Sequence, residues 1–138
     1  MSRRAARSKA LQVLFAIDIG DMEPEMAIEQ FLNKSKLSPQ TKEFAKQLVL
    51  GTVAARQKLD ELISKYSTGW RLERMASVDR NILRMALYEI SSIDDIPINV
   101  TINEAIELAK EFNDEEAGKF INGILDSAVK DMEIKKQE

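Results

Sequence analysis

Between positions 44 and 66, apolar or small residues return at helical spacing: Phe44, Leu48, Thr52, Ala55, Leu59, Leu62 and Tyr66. Side chains three or four apart share one face of a helix, so this run predicts a long amphipathic helix. Only five glycines and three prolines interrupt the 138 residues, and most of the rest favour helix. The expected fold class is all-α, with about seven helices. The hydrophobic share of 44% supports a packed core, and a chain of this length buries roughly two-thirds of its unfolded surface.

Local signals divide the chain further. Ala6, Ala10, Val13, Leu14 and Ile17 form the core face of a first helix, with Arg4, Arg7, Leu11 and Phe15 as a neighbouring stripe. Gly20 ends it, and Pro24 opens a second helix that runs to about Asn33. Ser38 caps the third helix ahead of Pro39, and that helix is expected to continue unbroken to Tyr66. Gly69 and Trp70 mark a change of direction, followed by a short helix at 71–75. Ser77 is the expected cap of a central helix over 78–90, apolar on most sides. Positions 96, 98, 100 and 102 alternate like a strand, but Pro97 and the lack of a pairing partner argue against one. Instead Thr101 with Glu104 has capping-box spacing, and Val100 with Ala105 that of a hydrophobic staple. The sixth helix should bury Ile102, Ala105, Ile106, Ala109 and Phe112. Asn113 with Glu116 repeats the box, and the seventh helix should bury Ala117, Ile121, Ile124, Leu125 and Ala128 before fraying over 133–138. These elements make one domain, 1–138, with helical subdomains at about 1–68 and about 70–132.

Charge is segregated. Arg3, Arg4, Arg7 and Lys9 open the chain with no acid among them, while 18–33 holds Asp18, Asp21, Glu23, Glu25 and Glu29 with no base. The net charge is −3, so the basic start is a local feature that suits a polyanion such as RNA or DNA. A helix built only for stability would favour acids at its N-terminus. The absence of Cys and His removes thiol nucleophiles, disulfides, common zinc sites and imidazole acid–base chemistry. No cofactor or metal is expected. The apolar run at 13–17 is too short for a signal or membrane segment, so a soluble, cytoplasmic protein is expected.

Three positions carry two readings each. Phe15 and Phe120 suit a core, but each lies near cations and could stack on an unpaired base. Gly123 inside a helix implies close approach, of another helix in the simpler reading and of a ligand in the other. Asp79 is accounted for by the helix dipole alone. Glu104, Glu107, Glu111, Glu115 and Glu116 read as solvated faces and caps, and nothing pairs two of them for hydrolysis.

Three segments carry a resemblance: VDRNILRMALYEI at 78–90, IPINVTINEAIELAKEF at 96–112 and AGKFINGILD at 117–126. With the arginine-rich start, they resemble the NusB family of bacterial transcription antitermination factors over nearly the whole chain. The resemblance implies two small packed helical bundles and binding to single-stranded boxA-type RNA of ribosomal RNA operon transcripts. It also implies partnership with the ribosomal protein NusE in the antitermination complex on RNA polymerase. The family's RNA contacts map onto Arg3, Arg4, Arg7, Lys119 and Phe120, and its NusE contacts onto Phe15 and Asp79. Here Ala5 and Ala6 interrupt the arginine cluster, and Phe15 stands where the family often has Tyr. Self-association into a homodimer is left open. The alternative is a helical protein–protein adaptor without intrinsic RNA binding. A similar domain fronts certain ribosomal RNA cytosine methyltransferases, but no Cys is present to act as their nucleophile.

Overall fold

The computed structural model describes residues 1–137, with side chains through residue 132. It contains seven α-helices among the described residues: α1 (Arg3–Asp18), α2 (Pro24–Ala27), α3 (Pro39–Ala54), α4 (Arg56–Tyr66), α5 (Ser77–Ser92), α6 (Ile98–Phe112) and α7 (Glu115–Gln137). α2 runs into a π-helical turn at Ile28–Asn33, and a single 3-10 turn occupies Leu72–Arg74. No strand forms at 96–102. None of the helices is long and apolar enough to cross a membrane, among the described residues.

The helix starts follow from local chemistry, at positions that differ in part from the sequence expectation. Ser2 caps α1 by accepting from the Ala5 amide at 3.1 Å, and Ser38 caps α3 by accepting from the Thr41 amide at 3.2 Å. The long third helix is two helices. Ala55, at φ −98° and ψ 8°, leaves helical geometry, and the chain's phase shifts so that Leu59 and Ile63, not Leu62 and Tyr66, become fully buried. Ser77 is not a cap; α5 begins with it, one residue after Ala76. α6 starts at Ile98 behind Pro97, earlier than the capping box required, so Thr101 lies inside the helix and its hydroxyl donates to Glu89 at 3.0 Å. Val100 is correspondingly exposed and forms no staple. Asp114, not Asn113, caps α7, accepting from the Ala117 amide at 2.8 Å. α7 continues to Gln137, through most of the stretch expected to fray.

α1 packs on α3, α6 packs on α7, and α5 touches α1, α3, α4, α6 and α7. The buried apolar residues form one continuous cluster across all of these helices. α5 is the central element, burying Ile82, Leu83, Met85, Ala86 and Leu87 together with Asp79, Asn81, Arg84 and Glu89. Each large aliphatic group sealed this way contributes about 1.5–3 kcal/mol. Gly51 lets α3 approach the Tyr88 ring on α5, which occupies the space of a Cβ at that position. Gly123 does not play that part. A Cβ there would meet nothing within 4 Å, whereas Gly118 is the α7 glycine against a neighbouring helix, facing Lys110 and Ile106 of α6.

Candidate nucleic-acid interface

The basic start of α1 divides into surface and interior. Arg3 lies at the surface, 3.2 Å from Asp95, with its guanidinium 5.4 Å from the Phe44 ring centroid. Arg4 is the most open of the three, its side chain 70% exposed, and its fork meets Glu104 at 3.0 and 2.9 Å. The hydrogen bond from Arg4 holds the Glu104 carboxyl below the usual range despite partial burial, with the charges of Arg4 and Arg7 acting in the same direction. The same contact raises the Arg4 guanidinium pKa further.

Arg7 is a correction to the expected set. Its side chain is 4% exposed, and its Nε lies 3.1 and 3.0 Å from the two Glu89 carboxylate oxygens while Nη2 also donates to Oε1. The Thr101 hydroxyl completes the shell of Glu89. Arg7 thus ties α1 to α5 and α6 inside the core, with its side chain almost wholly removed from water. The physical reason is its place on the helix: with Ala6, Ala10 and Leu11 it lies in the buried stripe, and Glu89 is a buried acid that requires a cation.

At the other end of the sequence, α7 presents Lys119 to solvent, 3.4 Å from Glu116 in a surface pair. Phe120 is half-buried against the core and meets Trp70 edge-on, with centroids 5.7 Å apart and planes at 69°. Trp70, Asp79, Asn113, Glu116 and Phe120 line a cleft of about 340 Å³. Asn113 donates to both Asp79 oxygens, at 3.2 and 3.4 Å. Burial raises the Asp79 pKa, the Asn113 hydrogen bond opposes that rise, and the charge of Asp114 adds to it. Asp79 and Phe120, assigned by sequence to different partners, therefore share one cleft. Phe15 does not line it. It is 39% exposed on α1, in a stretch that ends with Ile19 at 53%.

Beside this cleft lies an ion-pair network that fixes α1 and α4 to α5. Asp18 accepts from Arg80 at 2.8 Å, Asn81 at 3.0 Å and Arg84 at 3.2 Å, and Arg84 also forks onto Asp60 at 2.6 and 3.1 Å. Burial alone would push the Asp18 carboxyl up. Hydrogen bonds from Arg80 and Asn81 and the charges of Arg80 and Arg84 outweigh it and hold the group below its ordinary value.

Sequence reasoning missed two residues of this surface. Glu104 read as a solvated cap, and it is the counter-ion of Arg4. Trp70 read only as a break, and it stands 56% exposed against Phe120. An aromatic beside a glycine turn was the available signal for the second; the first, 100 residues from its partner, had none.

The arrangement defines an all-helical protein keyed by buried ion pairs around one central helix, with surface arginines held in ion pairs and an exposed indole set against Phe120. Residues 4–130 match the NusB family. The chain is 50% identical over 133 residues to the transcription antitermination protein NusB of Bacillus subtilis (strain 168), covering 96% of this chain and 98% of that one. Among solved structures, T. maritima NusB superposes with a TM-score of 0.87 at 40% identity, over 94% of this chain and 92% of that one. A structure of the antitermination factors NusB and NusE in complex with dsRNA gives 0.85 at 28% identity, over 93% and 96%. The chain belongs to the NusB family.

Proposed function

We propose that this protein is a non-enzymatic, cytoplasmic antitermination factor that binds boxA-type RNA of ribosomal RNA operon transcripts together with NusE. The observation that carries the RNA reading is the surface position of Arg3 and Arg4. Both sit in ion pairs at the surface, where phosphate oxygens can compete with Asp95 and Glu104 for the guanidinium donors. Lys119 supplies a third exposed cation and Phe120 a ring edge on the same helix. The NusB relative solved with NusE and dsRNA shares the fold and supports the same pairing here. Phe15 on α1 and Asp79 at the start of α5 are the proposed NusE contacts.

The test is anisotropy of a labelled single-stranded boxA-like RNA and a scrambled strand, with and without NusE. Three neutralised phosphates give a single-strand salt slope of about −2, or a loss of about 10- to 20-fold between 50 and 200 mM salt. Joint replacement of Arg3 and Arg4 by alanine should flatten that slope and leave the melting temperature nearly unchanged. A salt-independent affinity overturns the phosphate role. NusE binding with no RNA binding under any condition replaces this reading with that of a protein–protein adaptor.

A further inference from the structure

We infer that Trp70 forms, with Phe120, a stacking platform for an unpaired RNA base. The inference rests on the RNA reading above and adds a residue to it. Trp70 is the chain's only tryptophan, and more than half of its surface faces water. It is not loosely held. The Trp70 amide donates to the Ser67 carbonyl at 2.8 Å, the buried Ser67 hydroxyl donates to the Trp70 carbonyl at 3.1 Å, and Gly69 takes φ +81°. These are the features of a type II turn, with glycine where the left-handed residue falls. The turn fixes the backbone beneath the ring, so presenting it costs little additional order on binding.

The ring stands between two hollows, the Phe120 cleft and a groove of about 980 Å³ that also contains Arg71. Its edge-on relation to Phe120 means the two rings do not stack on each other, which leaves stacking surface for a third flat group. Carboxylates share both hollows, Asp60, Glu61 and Glu73 in the groove and Asp79, Asp114 and Glu116 in the cleft, so it is the uncommitted cations near the ring that favour a nucleotide. Arg71 and Arg74 are exposed, and among the described residues they are the two arginines without an ion pair; the other six all have one. One uncommitted guanidinium in the same groove as an exposed indole, with a second three residues along the chain, matches a backbone phosphate next to an unstacked base.

The sole tryptophan makes the site its own reporter. The full chain is titrated with the labelled boxA-like strand and with the scrambled strand, following RNA anisotropy and tryptophan emission together. Binding should quench Trp70 emission along the anisotropy curve. Trp70→Ala should weaken both strands by about 5- to 150-fold, as expected for one lost base stack, while Trp70→Phe retains most of the affinity. Melting curves of both variants should match the parent, since the ring is mostly outside the core. RNA binding with unchanged emission and full affinity in Trp70→Ala overturns the platform and leaves the arginine-face reading intact. Quenching by NusE alone, with none by RNA, overturns it in favour of a protein contact. If the parent chain binds neither strand, both readings fall.

Discussion

Arg7→Ala separates a structural arginine from a binding one. The Arg7–Glu89 pair is almost fully removed from water, and Glu89 keeps the Thr101 hydroxyl as its one other side-chain donor. Removing the guanidinium leaves a carboxylate buried without a counter-charge, a defect that costs about 3–5 kcal/mol. Unfolding entropy of roughly 2.1 cal/mol/K per residue, applied to a chain of this size, turns that cost into a fall in Tm of about 10–17 °C. Replacing the whole unit by apolar groups (Arg7→Met with Glu89→Leu and Thr101→Val) removes the stranded charge and should recover most of the loss. Differential scanning calorimetry measures the melting, and RNA anisotropy below the lowered Tm measures binding. The expected result is a large thermal loss in Arg7→Ala, recovery in the triple variant, and little change in RNA affinity for either while folded. An Arg7→Ala protein that melts like the parent and binds RNA poorly would refute the burial argument and return Arg7 to the binding face.

The fold class was legible because periodicity is a property of single helices, and so were the core faces of α1 and α7. Helix starts were less legible, since several residues can cap and the choice depends on who else needs them. Asn113 had the right spacing to cap α7, but its amide is committed to Asp79, and Asp114 caps instead. Thr101 was lost to Glu89 in the same way. Arg7 carried a readable warning. Leu11 lies one turn beyond it on the same stripe, and Glu89 sits among Leu87, Tyr88 and Ile90 in a helix apolar on most sides. What no local pattern could supply was the pairing of Arg7 with a residue 82 positions away.

Two glycines should respond in opposite directions. Gly123→Ala meets open space inside α7 and should raise Tm by about 3 °C, the value of roughly 1 kcal/mol of helix propensity. Gly69→Ala also meets open space but must hold φ +81°, and a cost of about 1–2 kcal/mol should lower Tm by about 3–7 °C; thermal melts of both decide the matter. Acid titration should separate two aspartates. The folded-state pKa of Asp18 is lowered, so its contribution is complete above the ordinary carboxylate value and disappears as pH falls through the depressed one. Asp18→Asn should therefore weaken the acid-dependent loss of stability below about pH 4. Asp79 is raised, so its contribution is complete below the ordinary value and is lost as pH rises through the raised one. Asp79→Asn, whose amide oxygen can still accept from Asn113, should be at least as stable as the parent at neutral pH; a clear loss in denaturant melts would contradict the burial account of Asp79.

α5 buries Asp79, Asn81, Arg84 and Glu89 within a wall of aliphatic side chains; Asn81, Arg84 and Glu89 find partners on other helices, and Asp79 finds Asn113 in the link between α6 and α7. Grease alone would let such a rod roll or slide by a residue with modest loss. Here a rotation of 100° would strand carboxylates and guanidinium groups together, so the rod has one permitted angular setting. Drift among its aliphatic positions can then proceed without disturbing where the molecule's outer edges point, because that bearing is indexed by charge.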